Sequence, residues 1–186
     1  MQQTLHQYDA VIGRCEELFF QKTQDYGTAW RILRPASLTD QLYIKAKRIR
    51  QIEIAGEQRV ADPVTDEYVG LINYSLLAII QLKLPAGTAL ELEPQRALDL
   101  FRAEVATTRQ LMIDKNSDYG EVWREMRLSS LTDLILQKLL RVKQIEDNAG
   151  HTRVSEGLEA NYRDIVNYAV FALIKLDESN EAPAMP

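Results

Sequence analysis

A lysine, an aspartate, a tyrosine, a tryptophan and an arginine recur at one spacing in two places. They are Lys22, Asp25, Tyr26, Trp30 and Arg31, and then Lys115, Asp118, Tyr119, Trp123 and Arg124. A phosphorylated nucleotide calls for these groups: cations for phosphate, aromatic faces for the base, and a carboxylate for a sugar hydroxyl or a metal. Gly27 and Gly120 follow the two tyrosines and permit a turn that a side chain would obstruct. A second reading is as well supported. Tyr and Trp would anchor the turn in a core and Asp would cap a helix, and a duplication keeps such anchors as readily as ligands.

A second set of cations follows. Lys45 and Arg48 stand three apart, on one helical face, and Lys138 and Arg141 repeat them. Lys47 and Arg50 are not matched as closely, their counterparts being Leu140 and Lys143. Either phosphate binding or salt bridges to Glu53 and Glu146 accounts for such pairs. Further on, Glu67 precedes Gly70 by three residues, whereas the aligned copy has Asn161 and Asp164. An acidic pair at that spacing would offer two carboxylates to one divalent cation. Each copy keeps one half of it, and surface drift explains the pattern equally well. Asp40 and Asp133 read as capping residues. His6 and His151 have no partner pattern, and Cys15 aligns with Thr108, which marks a small core position. No phosphate-binding glycine loop, CxxC pair or Ser-His-Asp arrangement is evident.

The elements that position these residues form a repeat. Over 22–53 against 115–146, 16 of 32 positions are identical without a gap. After one inserted residue the match resumes, Arg59-Val60 on Arg153-Val154 and Asn73-Tyr74 on Asn167-Tyr168. Each unit reads as three helices. The first carries Val11, Ile12, Cys15, Leu18 and Phe19 at helical spacing and ends before Gly27. The second is expected to begin at Ser37, with Ser-x-x-Asp as a capping box, and to bury Leu38, Leu42, Ile49 and Ile52. The third follows Pro63. The expected division is a first repeat at 1–84, a linker at 85–93, a second repeat at 94–176 and a loose tail at 177–186. Too few helices stand in each unit to cover their apolar faces, so the fold class is all-α. The two repeats should pack as a pseudo-twofold bundle.

The chain has 186 residues, a net charge of −5 and one cysteine. An acidic chain of this kind is a poor general binder of nucleic acid, although a local basic pocket can still hold a small anion. No apolar stretch is long enough to span a bilayer, and the start lacks the pattern of a secretory signal. A cytoplasmic protein with a small-molecule nucleotide as partner is the expectation; oligomeric state is left open.

KxxDYGxxWR, SLTD, KxxR and the closing NY resemble the nucleotide modification associated domain family, in two tandem copies. That likeness implies handling of modified or unusual nucleotides. The helix pattern is more distantly similar to MazG-like all-α nucleoside triphosphate pyrophosphatases, which hold magnesium on acidic i, i+3 pairs. Carried onto this chain, the acidic pair survives only as Glu67 and Asp164, and a magnesium-dependent enzyme would add Glu53 and Glu146 as metal ligands. The phosphates would then fall to Lys22, Arg31, Lys45, Arg48 and their counterparts. The ExxE of the first helix is missing: Glu16 and Glu17 are adjacent, and the other copy has Glu104 alone. Three functions follow: a magnesium-dependent pyrophosphohydrolase, a nucleotide-binding module without turnover, and a helical interaction protein. A composite site is expected if Glu67 and Asp164 meet across the dyad, with Asp164→Asn tolerated by the fold.

Overall fold

The computed structural model describes residues 1–154 and 156–181. Among them are six α-helices and two single 3-10 turns, with no strand. The helices are α1 (Gln2–Tyr26), α2 (Pro35–Ala55), α3 (Val64–Lys83), α4 (Pro94–Tyr119), α5 (Leu128–Asp147) and α6 (Leu158–Glu181). The short turns, Ala29–Ile32 and Val122–Glu125, occupy the same place in each repeat.

The helices stack as three equivalent pairs. α3 and α6 pack together in the middle, α2 and α5 pair on one side, and α1 and α4 pair on the other. The pattern is reciprocal: α1 packs on α6 as α4 packs on α3, and α2 packs on α3 as α5 packs on α6. That is the arrangement a pseudo-twofold axis demands, and it confirms the all-α bundle of two repeats. Position in the stack explains composition. A helix flanked on both sides must be apolar nearly all round, and α3 buries Tyr68, Leu71, Ile72 and every residue from Ser75 to Ile80. α6 is buried likewise from Asn161 to Val170 apart from a half-buried Tyr168. There the polar Asn161, Arg163, Asp164 and Asn167 are buried with hydrogen-bond or ion-pair partners. The outer helices bury one stripe each, such as Leu38, Leu42, Ala46 and Ile49 of α2. Cys15 and Thr108 are both buried, as their alignment suggested.

Three boundaries differ from the sequence reading. α2 starts at Pro35, whose ring suits the first helical position because its missing N–H is one the helix would leave unpaired. Ser37 therefore sits inside the first turn, and no side chain caps the helix. α5 likewise begins at Leu128, ahead of Ser130. Asp40 and Asp133 are not caps. Asp40 pairs with Lys143 at 2.6 Å and Asp133 with Arg50 at 3.5 Å, two equivalent bridges between α2 and α5. Finally, α6 runs on to Glu181, so the first five residues assigned to a tail are helical. The rest of that segment lies outside the described residues.

Candidate functional site

The two Asp-Tyr-Gly turns are built alike and used differently. Gly27 ends α1 at φ 62°, ψ −146°, and Gly120 ends α4 at φ 69°, ψ −171°. This backbone region is essentially reserved for glycine. The following 3-10 turn carries the motif's Trp and Arg inward. Arg31 is buried and donates to Gln81 Oε1 and to the carbonyls of Thr88 and Ala89, at 2.8 to 3.0 Å. Thr28 adds hydrogen bonds to Leu90 O and from Leu92 N, fastening the linker to the first turn. Arg124 lies over the Trp123 ring at 4.4 Å and donates to Thr4, Gln7 and Glu178. Both guanidiniums, expected on phosphate, are thus tied to the chain itself. The motif's other half faces outward: Asp25, Tyr26, Asp118 and Tyr119 are exposed.

The first turn borders a sizeable aromatic cavity. Phe19, Lys22, Tyr26, Trp30, Tyr74 and Leu77 line a space of about 320 Å³. Trp30 is half-buried in its wall. In the second repeat the matching space shrinks to about 40 Å³, beside Met112, Lys115, Tyr168 and Phe171. One substitution explains the difference. Phe171 stands where the first repeat has Leu77, and it stacks on Trp123 with ring centroids 4.3 Å apart. Trp123 is therefore buried, whereas Trp30 is half-buried. Both indole N–H groups are buried without a hydrogen-bond partner among the described residues.

The acidic residues expected on magnesium each have partners within the chain. Glu67 receives Lys45 at 3.2 Å and Arg48 at 2.5 Å, one on each oxygen. Lys45 lies against Gly70, where a Cβ would collide with it. Asp164, itself buried, receives Lys115 and Lys138 at 2.6 Å each, again one per oxygen. Burial disfavours the Lys115 ammonium, but its hydrogen bond and attraction to Asp164 win, and the pKa lies above the ordinary value. The half-motifs are thus two separate charge clusters, each acid closed by cations of its own repeat. Glu53 and Glu146 serve a different purpose. Glu53 accepts from Thr132 at 2.7 Å, and Thr132 meets Tyr68 at 3.0 Å. Glu146 accepts from Thr39 at 2.7 Å, and Thr39 meets Tyr162 at 2.8 Å. These are two equivalent Glu–Thr–Tyr chains crossing the dyad. Desolvation pushes both carboxyls above their ordinary value, against the pull of the threonine hydrogen bonds.

Among the described residues no three of His, Cys, Asp and Glu gather as a cation-binding group. A magnesium ion takes near-octahedral oxygen ligands, and this donor set does not fit one. Thr39, Thr132, Tyr68 and Tyr162 went unassigned in the sequence. Their signal was present, since each is identical in both repeats and buried positions that interlock across a dyad must change together.

A family model described as nucleotide modification associated domain 1 matches residues 22–82 and 115–176, once per repeat and more than half of the chain. The chain belongs to that family. Each matched segment opens on the Lys of the Asp-Tyr-Gly motif and closes near the end of the third helix of its repeat, so the family match falls once on each repeat. No curated protein and no solved structure matches it, and the more distant likeness to MazG-like pyrophosphatases is not shown. No described helix is long and apolar enough to cross a membrane.

Proposed function

We propose that this chain is a nucleotide-binding module in which the first repeat receives the base. The carrying observation is the cavity between Phe19, Tyr26, Trp30 and Tyr74, with Lys22 among its lining residues. Its volume is at the small end of ligand pockets, on the order of 300–1,000 Å³, enough for one heterocycle but not for a longer oligonucleotide. Aromatic walls stack any base by its π face, on the order of 1–3 kcal/mol each, and tolerate substituents at the ring edge. That tolerance suits the modified nucleotides implied by the family's description. Lys22, which has no ion-pair partner among the described residues, supplies a charge for the first phosphate.

Binding without turnover is the reading favoured by the donor set, because the four acids that hydrolysis would need are engaged elsewhere. Tryptophan fluorescence tests it. The chain has two tryptophans, and a nucleotide stacking in the cavity should quench Trp30 alone. Quenching by unmodified and 5-substituted nucleoside monophosphates should vanish in Trp30→Phe and persist in Trp123→Phe. No quenching of the wild type by any of them removes the proposal.

A further inference from the structure

The loops after α2 and α5 each roof a groove, and the two grooves are equivalent. The first is lined by Arg48, Gln51, Ile52, Arg59 and Val60, among others. The second is lined by Arg141, Gln144, Ile145, Arg153 and Val154. Position by position these are the same five residue types, although the loops that carry them differ by an inserted residue. Val60 and Val154 stay exposed, so burial in the core is not what keeps them. Either packing of the loop or a shared ligand could hold such a set together. What separates these two readings is what has changed around it.

In the first groove both arginines have an acidic partner, part-buried for Arg48 and exposed for Arg59. Arg48 is held by Glu67 at 2.5 Å and by the Asp62 carbonyl at 2.8 Å, and Arg59 by Glu57 at 3.1 Å. In the second, Asn161 replaces Glu67 and His151 replaces Glu57. Arg141 and Arg153 have no hydrogen bond or ion pair among the described residues, and the groove measures about 590 Å³ against about 280 Å³. The acid that remains on its lining is Glu156, the counterpart of Asp62. Loop packing alone gives no reason to delete both counter-charges of a retained arginine pair. Two like charges sharing a groove repel, and an anion of two or more charges relieves that repulsion.

We propose that the α5–α6 groove of the second repeat is a binding site for a phosphate ester, gripped by Arg141 and Arg153. Guanidiniums form paired, charge-assisted hydrogen bonds to phosphate oxygens. The side-chain amide of Gln144 and the carboxylate of Glu156 can serve sugar hydroxyls of the same ligand. The inference does not rest on the aromatic cavity of the first repeat, and its probe carries no base.

The probe is inorganic pyrophosphate, titrated calorimetrically into the full chain in magnesium-free buffer. Wild type should bind it. Arg141→Gln and Arg153→Gln should each weaken binding about tenfold or more, as loss of a hydrogen bond to a charged group implies. Asn161→Glu should do the same by restoring the counter-charge found in the first repeat. Melting curves establish that each variant is folded: Arg141 and Arg153 are exposed, whereas Asn161 is buried and its substitution gives up a hydrogen bond to the Gly157 carbonyl. Absence of binding by the wild type overturns the proposal. So does binding that survives Arg141→Gln and Arg153→Gln combined, or an Asn161→Glu variant that binds as the wild type does.

Discussion

At the residue scale, the Asp164 carboxylate carries the heaviest duty in the second repeat. It answers two lysines at once, and Lys138 is nearly as buried as the acid itself. Asparagine is close in shape but has no charge, so Asp164→Asn leaves Lys115 and Lys138 facing each other unneutralised. Removing one partner of a buried pair costs about 3 kcal/mol. Urea denaturation should show a loss of that size, which replaces the expectation that this substitution spares the fold. The Glu–Thr–Tyr chains make a second case, with pH as the lever. Glu53 and Glu146 have folded pKa values above the ordinary 4.5. A raised acid stabilises the fold when protonated; the contribution is complete below that ordinary value and is lost as pH rises through the folded-state pKa. A Glu53→Gln and Glu146→Gln double variant lacks this dependence. Its urea midpoint should therefore gain on that of wild type between about pH 4 and about pH 7. A gap that stays constant over that interval would show that neither carboxyl is perturbed.

At the element scale, the turn joining α1 to α2 is held by the linker, and the turn joining α4 to α5 by the start of α1. Glu121 accepts from Thr4 and from the Met1 amino group, whose charge and hydrogen bond hold its pKa below the ordinary range. Glu91 fills the corresponding space at the first turn, where it accepts from Thr28 N at 3.1 Å. A Cβ on Gly27 would run into that carboxylate, whereas one on Gly120 would meet open space. Both positions require positive φ, so each alanine substitution should cost on the order of 1–3 kcal/mol in backbone strain. Gly27→Ala should cost more, because Glu91 must also withdraw. Equal losses in a denaturation series would mean that the Glu91 contact adds nothing.

At the scale of the molecule, the repeats are not independent domains. The middle pair, α3 and α6, contributes the most deeply buried residues, and each helix is covered by elements of both repeats. A fragment ending at residue 84 would expose the apolar face of α3 that α6 covers. It should show no cooperative melting at low concentration. At high concentration it should recover helicity as a symmetric dimer, since the interface between equivalent helices is nearly self-complementary. Circular dichroism and analytical ultracentrifugation check this directly, and a stably folded monomeric fragment would show that the shared core is dispensable.

Helix number, order and pseudo-symmetry were legible in the sequence because apolar spacing and internal identity are local and one-dimensional. Lys22, Tyr26 and Trp30 were also legible as one cluster, since a single glycine turn holds them within reach of each other. The orientation of Arg31 and Arg124 was not, because whether a guanidinium points to solvent or to a carbonyl depends on a linker and a terminus far away in the chain. Nor was the fate of the four acids. Glu67 and Asp164 looked like halves of one metal site until the packing of α2 on α3 and α5 on α6 gave each its own pair of cations. The difference between the two grooves lies between these limits. Asn161 and His151 are plain in the aligned sequence, but only the folded chain shows that the residues they replace are the ones that neutralise an arginine. Charge pairing is decided by distances between side chains, and those distances exist only once the helices have packed.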